Sequence, residues 1–179
     1  MELVYKNATK SDVEILIDIY NSAFYDDYLR YGECPAFGRT KEEMEKSIEN
    51  FPKVIAYNQN TAVGVISTQN KGNGKYYVGC LGVKKEYQGQ GIGTSLMKKF
   101  LLECSDWKEI TLVTPIDKEE NIRVYKVDMS SNENAKYISE EENSKVEDSP
   151  ILAAPKLMKA AAPQASPIKS ASLTVSREF

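Results

Sequence analysis

Apolar and polar positions divide this chain into a patterned part and an unpatterned one, with the change just beyond Met129. Leu3 to Thr9 reads as a short opening strand. Ser11-Asp-Val-Glu14 has the form of a capping box, in which a serine and a glutamate satisfy free amides at a helix start. Val13, Ile15, Leu16, Ile19 and Tyr20 then fall near helical spacing and predict a helix over about 12–23. Phe24 to Phe37 is aromatic and acidic and is expected to run as a second helix into a loop. Thr40-Lys-Glu-Glu43 is another capping box and opens a helix to about Asn50.

After Pro52 the period changes. Lys53–Tyr57 and Thr61–Thr68 are rich in Val, Ile and Ala, and Asn58-Gln-Asn60 separates them, a hairpin signal. A second turn at Asn70-Lys-Gly-Asn-Gly74 leads into a third strand, Lys75–Val83, completing an antiparallel meander. A helix over 92–104 carries Leu96, Met97, Phe100 and Leu101 along one face. Glu109–Thr114 is a short β-branched strand, and Asp117-Lys-Glu-Glu120 caps a last helix reaching about Tyr125. The order is strand, helices, three strands, helix, strand, helix, which predicts an α/β fold with a mixed, mostly antiparallel sheet flanked by helices.

The remainder has another character. Ser130–Ser149 is polar and acidic, and residues 150–172 are rich in Ala, Pro, Ser and Lys. Such composition buries too little apolar surface to offset chain entropy, so a disordered tail over 131–179 is expected behind a domain over 1–130. Leu173-Thr-Val175 would form a brief strand if a partner edge were offered. Lys156, Lys159 and Lys169 make the tail either a solvated linker or a lure for an acidic partner.

Composition narrows the chemistry. The chain has 179 residues, room for one core of ordinary size, and a formal net charge of -3, which gives no reason to expect nucleic acid. Cys34, Cys80 and Cys104 cannot all pair and lack metal-ligand spacing, so a reduced cytoplasmic protein without a metal is the simpler expectation. No apolar stretch approaches the roughly 20 residues that span a bilayer, and the start lacks the look of a signal peptide, so no membrane is expected. Histidine is absent altogether, which removes Ser-His-Asp hydrolases and Cys-His proteases. Any general base has to be a carboxylate, a tyrosine, a cysteine or a bound water.

The chemistry is concentrated in Gln88-Gly89-Gln90-Gly91-Ile92-Gly93. A strand running into glycines and then a helix presents unpaired amides at the positive end of the helix dipole, an arrangement suited to pyrophosphate. Gly91 and Gly93 put no Cβ in the way of a ligand. Gln88 stands where it can bridge loop and phosphate. A Rossmann G-x-G-x-x-G counted from Gly89 fails at Thr94, and no Gly-Lys-Ser/Thr follows for a P-loop. A glycine-rich turn used only for helix packing is the competing explanation.

The longer run Leu81-Gly-Val-Lys-Lys-Glu-Tyr-Gln-Gly-Gln-Gly-Ile-Gly-Thr-Ser-Leu-Met97 resembles the acyl-CoA motif of the GNAT (GCN5-related N-acetyltransferase) superfamily, Q/R-x-x-G-x-G/A with its preceding strand. Similarity in element order covers about residues 1–125. The resemblance implies an N-acetyltransferase that moves an acetyl group from acetyl-CoA to a primary amine of a small molecule or protein by direct attack. It implies that Gln88, Gly89, Gln90, Gly91, Ile92, Gly93 and Thr94 hold the CoA pyrophosphate. The strand Leu81-Gly82-Val83 would pair with the pantetheine arm, and an amide near Leu81 would polarise the thioester carbonyl. Tyr125, in Asn121-Ile-Arg-Val-Tyr125, falls in register with the family's acid for the leaving thiolate, although an ordinary core tyrosine would fit there too. Asn121 is implied to touch CoA; Lys118 stands where the family commonly has Asn.

After Tyr125 the chain reads Lys-Val-Asp-Met-Ser-Ser, where the family continues with Gly-Phe and two more strands. Two other functions therefore stay open: a CoA-binding module without turnover, and an interaction protein using its tail. Among acceptor-side candidates, Asp26, Asp27 and Glu33 lie in a segment that walls the acceptor site in the family, or are solvated loop charges. Cys80 adjoins the implied oxyanion strand, and one side of the Tyr76–Tyr77 pair is expected to face the cleft. The acceptor is unnamed, and a homodimer is left open.

Overall fold

The computed structural model describes residues 2–115, 118, 135–140 and 170–177. The opening strand is β1, Leu3–Asn7. A 3-10 turn over Lys10–Asp12 follows, started by Thr9 rather than Ser11: the Asp12 carboxylate accepts from the Thr9 amide at 2.8 Å and hydroxyl at 2.9 Å. The two helices expected over 12–37 are one, α1, Val13–Tyr31. It ends where Gly32 takes φ 75°, a left-handed cap that glycine adopts without strain. α2, Lys41–Asn50, opens on the predicted capping box, with Thr40 N–H donating to Glu43 Oε2 at 2.9 Å and Glu43 N–H to Thr40 Oγ at 3.2 Å.

The meander is as expected: β2 Lys53–Asn58, β3 Thr61–Gly72 and β4 Lys75–Val83, all antiparallel. The β3–β4 turn is Asn73-Gly74, both at positive φ (55° and 77°), the twist that a two-residue hairpin needs. α3 spans Ile92–Glu103 and β5 spans Glu109–Pro115. The expected helix over 117–125 lies outside the described residues.

Two segments of the tail are strands rather than loose chain: β6, Ala135–Glu140, and β7, Ser170–Arg177. β7 pairs antiparallel with β5 from Glu109↔Ser176 to Pro115↔Ser170, and β6 pairs with β7, giving a seven-stranded sheet in the order β1-β2-β3-β4-β5-β7-β6. Leu173-Thr-Val175 thus has the partner edge it required, the outer side of β5.

Each face of the sheet has its own core. On one, α3 places Ile92, Leu96, Met97 and Phe100 over Val63, Ile66, Val78, Ile110 and Leu112, joined by Leu173 and Val175 from β7. On the other, Val13, Leu16, Ile19 and Tyr20 of α1 and Met44 of α2 cover Ile55, Ala62 and Val65. At about 25 cal/mol per Å² of apolar surface removed from water, each large side chain buried here contributes roughly 1.5–3 kcal/mol.

Among the described strands only β4 and β5 pair in parallel, and only from Lys75↔Glu109 to Val78↔Leu112. Beyond that point they part. The cause lies in the register of β4 against β3, where Ser67 faces Cys80 but Thr68 faces Val78, leaving Gly79 as an extra residue. Such a bulge bends its strand and increases the twist. β4 continues to Val83 without β5 beside it, while Val113, Thr114 and Pro115 pair with β7 alone. The result is a fork in the sheet, with α3 on one face and α1 on the other.

Candidate active site

The inner edge of the fork is the backbone of β4. Lys84 N–H donates to the Val63 carbonyl at 2.9 Å. Because backbone groups alternate along an antiparallel pair, Gly82 and Cys80 direct theirs at β3, whereas Leu81 and Val83 direct theirs into the fork. No described strand meets them there. The Val83 carbonyl instead accepts from Gln88 Nε2 at 3.0 Å. Gly82, between them, lets α1 approach: a Cβ there would lie 3.1 Å from Phe24 Cε2 and 3.3 Å from Ala23 Cβ.

The glycine-rich loop carries the chain from the end of β4 to α3, whose first turn lies above the fork: a Cβ on Gly93 would lie 3.8 Å from Leu81 and Val83 side-chain carbons. Gly89 and Gly91 adopt φ 74° and 78°, and a Cβ on either would meet nothing within 4 Å. Glycine is therefore required by conformation, and the space before the loop is open. Gly91 is the N-cap of α3, and no side chain caps the helix and no acidic residue stands in its first turn. The first amide used inside the helix is that of Ser95, donating to Gly91 O at 3.0 Å, so those of Ile92, Gly93 and Thr94 have no partner within the helix. α2 makes the contrast, because Thr40 Oγ1 accepts from the Glu43 amide of its first turn.

The side chains of Gln88 and Gln90 hold the loop itself, the first on Val83 O and the second on Glu86 O at 3.2 Å. α1 fixes the loop from the other side. Lys85 N–H donates to Ser22 Oγ at 3.1 Å, Lys85 Nζ pairs with Asp26 at 2.8 Å and Lys84 Nζ with Asp18 at 2.5 Å. Both loop lysines are thus occupied by α1, and the positive potential before the loop comes from free amides and the helix dipole.

On the α1 face the sequence candidates separate. Asp26 is exposed on its pair with Lys85, and Glu33 is exposed. Asp27 is buried and ion-paired to Lys118, a contact joining α1 to the chain just beyond β5. Reading Asp27 as a solvated loop charge is therefore corrected. Tyr76 and Tyr77 both sit where β4 and β5 still pair, before the fork. Tyr76 points into the α3-side core and donates to Asp106 Oδ1 at 2.7 Å, a bond that raises the pKa of its hydroxyl. Tyr77 lies on the opposite face beneath Lys71, half-buried, and burial pushes its hydroxyl up. Tyr76 therefore does not face the cleft. Tyr125 and Asn121 lie outside the described residues.

Cys80, one residue before Leu81, faces α1. Burial pushes its thiol up, so it is neutral near pH 7, hydrogen-bonded to the Tyr20 hydroxyl. Tyr20 also bonds Ser67, and burial raises its hydroxyl well above the ordinary range. Behind Ser67 lies Lys53, 2% exposed, its Nζ donating to Ser47 O (2.9 Å), Ser47 Oγ (2.9 Å), Phe51 O (3.0 Å) and Ser67 Oγ (3.3 Å). Burial lowers its pKa to about 8, with Arg39 adding to the effect. This polar cluster escaped the sequence reading, because Lys53 stands at the start of a strand like any exposed lysine. The only sequence signal was its place beside Val54–Tyr57.

A forked sheet with an uncapped helix start above the gap is an arrangement suited to a phosphate-bearing ligand. The Acetyltransferase (GNAT) family model matches residues 14–129, and the chain belongs to that family. No curated protein sequence matches it. Among solved structures, the fold is similar to diaminobutyrate acetyltransferase from Paenibacillus lautus (TM-score 0.69, 11% identity, 98% of this chain and 95% of that one). It is similar also to an acetyltransferase from Thermus thermophilus (0.66, 10%, 97% and 96%). A third is the paia N-acetyltransferase from Thermoplasma acidophilum, solved with coenzyme A (0.64, 15%, 99% and 100%). No helix among the described residues is long and apolar enough to cross a membrane.

Proposed function

We propose that this chain is an acetyl-CoA-dependent N-acetyltransferase acting on a primary amine. The observation that carries the reading is the alignment of the fork with the free amides of α3. Ile92, Gly93 and Thr94 offer a pyrophosphate three N–H groups that have no partner among the described residues, next to a loop that Gly89 and Gly91 keep open. The glycine loop and these amides fit the pyrophosphate as they stand. From there an extended pantetheine arm would run down the fork and pair with the backbone of Leu81 and Val83, as an added strand would. It would compete with Gln88 for the Val83 carbonyl. Its thioester would then lie near the Gly79 bulge, where an amide at or next to Leu81 stabilises the developing oxyanion, a contribution of roughly 3 kcal/mol for a preorganised donor.

The acceptor enters from the α1 face and attacks as the neutral amine, the departing thiolate takes a proton from Tyr125, and the proton that the acylated nitrogen loses restores the tyrosine hydroxyl. The diaminobutyrate enzyme and the structure holding coenzyme A support amine acetylation and CoA binding as properties of this fold. Three free cysteines and the need for acetyl-CoA suit a cytoplasmic setting.

Gly91→Asp puts a carboxylate where the pyrophosphate would lie and strains a left-handed position, so calorimetry should detect no acetyl-CoA binding to a variant that still melts cooperatively. Unchanged affinity would reject the phosphate assignment. Tyr125→Phe should lower kcat, followed as free thiol, by about 10–100-fold with little change in KM for acetyl-CoA. A wild-type rate would remove Tyr125 from the mechanism. Acetyl-CoA binding without thiol release from any amine would leave a binding module.

A further inference from the structure

On the α1 face of the sheet, two cations lack a carboxylate partner among the described residues. All four carboxylates of α1 are already matched: Glu14 by Lys41, Asp18 by Lys84, Asp26 by Lys85 and Asp27 by Lys118. Among the described residues Arg39 and Lys53 have no carboxylate partner, yet they share one acceptor. Ser47 Oγ lies 3.0 Å from Arg39 Nη1 and 2.9 Å from Lys53 Nζ. Arg39 Nε donates to Pro35 O at 2.9 Å, and its guanidinium lies over the Tyr20 ring, 5.5 Å from the centroid. Its Nη2 has no acceptor among the described residues. Arg39 is half-buried, so this unused edge combines partial desolvation with access. Those are the conditions under which a guanidinium binds an oxyanion strongly.

The place is as informative as the charge. Tyr20 lies under Arg39, and its hydroxyl bonds the thiol of Cys80, the residue before Leu81. One tyrosine therefore separates the guanidinium from the strand that lines the fork. A ligand with an anionic end on Arg39 would direct its other end towards the place where an amine would meet the thioester.

We infer that Arg39, backed by Lys53, anchors an anionic oxygen group, carboxylate or phosphate, at the far end of the acceptor amine. The inference rests on the acetyl-transfer reading of the fork. It makes the acceptor class amino acids or aminoalkyl phosphates rather than polyamines, and it makes Arg39 the residue that selects them. Lys53, whose donors are fully used inside the protein, contributes field rather than contact. An anion arriving at Arg39 relieves the repulsion between the two cations, so Lys53 takes up a proton when the ligand binds near pH 8.

The test measures thiol release from acetyl-CoA with two acceptor sets. One is anionic: glycine, β-alanine, 4-aminobutanoate and 2-aminoethyl phosphate. The other is n-butylamine, ethylenediamine and 1,4-diaminobutane. Wild type should prefer one or more of the anionic amines by about 30-fold in kcat/KM, the value of a hydrogen bond to a charged group. Arg39→Met should erase that preference through KM of the anionic set, leaving the other set and the KM for acetyl-CoA unchanged. Arg39→Lys, which keeps the cation and most of the stem, should retain part of it, and it carries the comparison if Arg39→Met fails to melt cooperatively. Calorimetry of the same amines on CoA-saturated protein at pH 8, in two buffers of different ionisation enthalpy, should show proton uptake that disappears in Lys53→Met. This binding arm decides the matter if no amine is turned over. Equal use of both sets, an Arg39→Met that weakens both alike, or no Arg39-dependent binding overturns the inference. Failure of acetyl-CoA itself to bind would overturn the cofactor reading instead.

Discussion

Lys53 sits among carbonyls and hydroxyls, with no carboxylate among the described residues to meet its charge, and burial depresses its pKa from 10.5 to about 8. The sign of the consequence is opposite to that of a paired surface lysine. Between about 8 and 10.5 the unfolded chain holds the proton that the folded one has released, so folding stability rises with pH across that window. Below about 8 the full cost of the buried charge is present, about 3 kcal/mol from the size of the depression. The unfolding free energy of wild type relative to Lys53→Met, measured in urea, should therefore increase by that amount between pH 7 and pH 11. A constant difference would mean that the ammonium is stabilised as well as it is in water. Nothing in the sequence distinguishes Lys53 from Lys75, which likewise begins a strand but is exposed and paired with Glu109. The difference arises only when α2 closes over the start of β2.

Elements formed where local and tertiary preferences agreed, and were misread where tertiary contacts prevailed. The α2 capping box and the Asn73-Gly74 turn act within a few residues, and both are legible in the sequence. α1 was expected to break near residue 23, after polar Asn21 and Ser22. It continues because those side chains have distant partners: Asn21 Oδ1 accepts from Gly38 N–H at 2.9 Å, and Ser22 Oγ from Lys85 N–H at 3.1 Å. Helix-weak residues are tolerated here because they tie α1 to two loops. The closeness of α1 to β4 depends on Gly82. Gly82→Ala brings a methyl within 3.1 Å of the Phe24 ring, so α1 has to shift, at a cost of about 2 kcal/mol. The lower urea midpoint should recover in part when Phe24→Leu is added, and a midpoint equal to wild type would show that the helix yields freely.

For the molecule as a whole, the sheet is completed by chain that composition marked as loose. Leu173 and Val175, 4% and 0% exposed, bury against the same core as Ile110 and Leu112, and β7 covers the whole outer edge of β5. Removing residues 170–179 should therefore cost several kcal/mol and leave a bare parallel-paired strand prone to association. The expected result is a melting temperature lower by more than about 10 °C, with aggregation on heating. A tail that only solvates would leave both unchanged. An eight-residue strand amid Ala, Pro and Ser carries little apolar period of its own. Its stability comes from the edge that it meets, so it could be named in the sequence only conditionally.

The sequence alone determined the family, the meander, and the loop from Gln88 to Gly93, because glycine spacing, capping boxes and β-branched runs act through neighbouring residues. Tertiary structure decided the fork, the burial of Asp27 and Lys53, and the partner of β7. Each of these depends on which strand lies beside which, and so on contacts between residues far apart in the chain. The Gly79 bulge joins the two levels: a glycine permits it, but only the register of β4 against β3 makes it part the sheet.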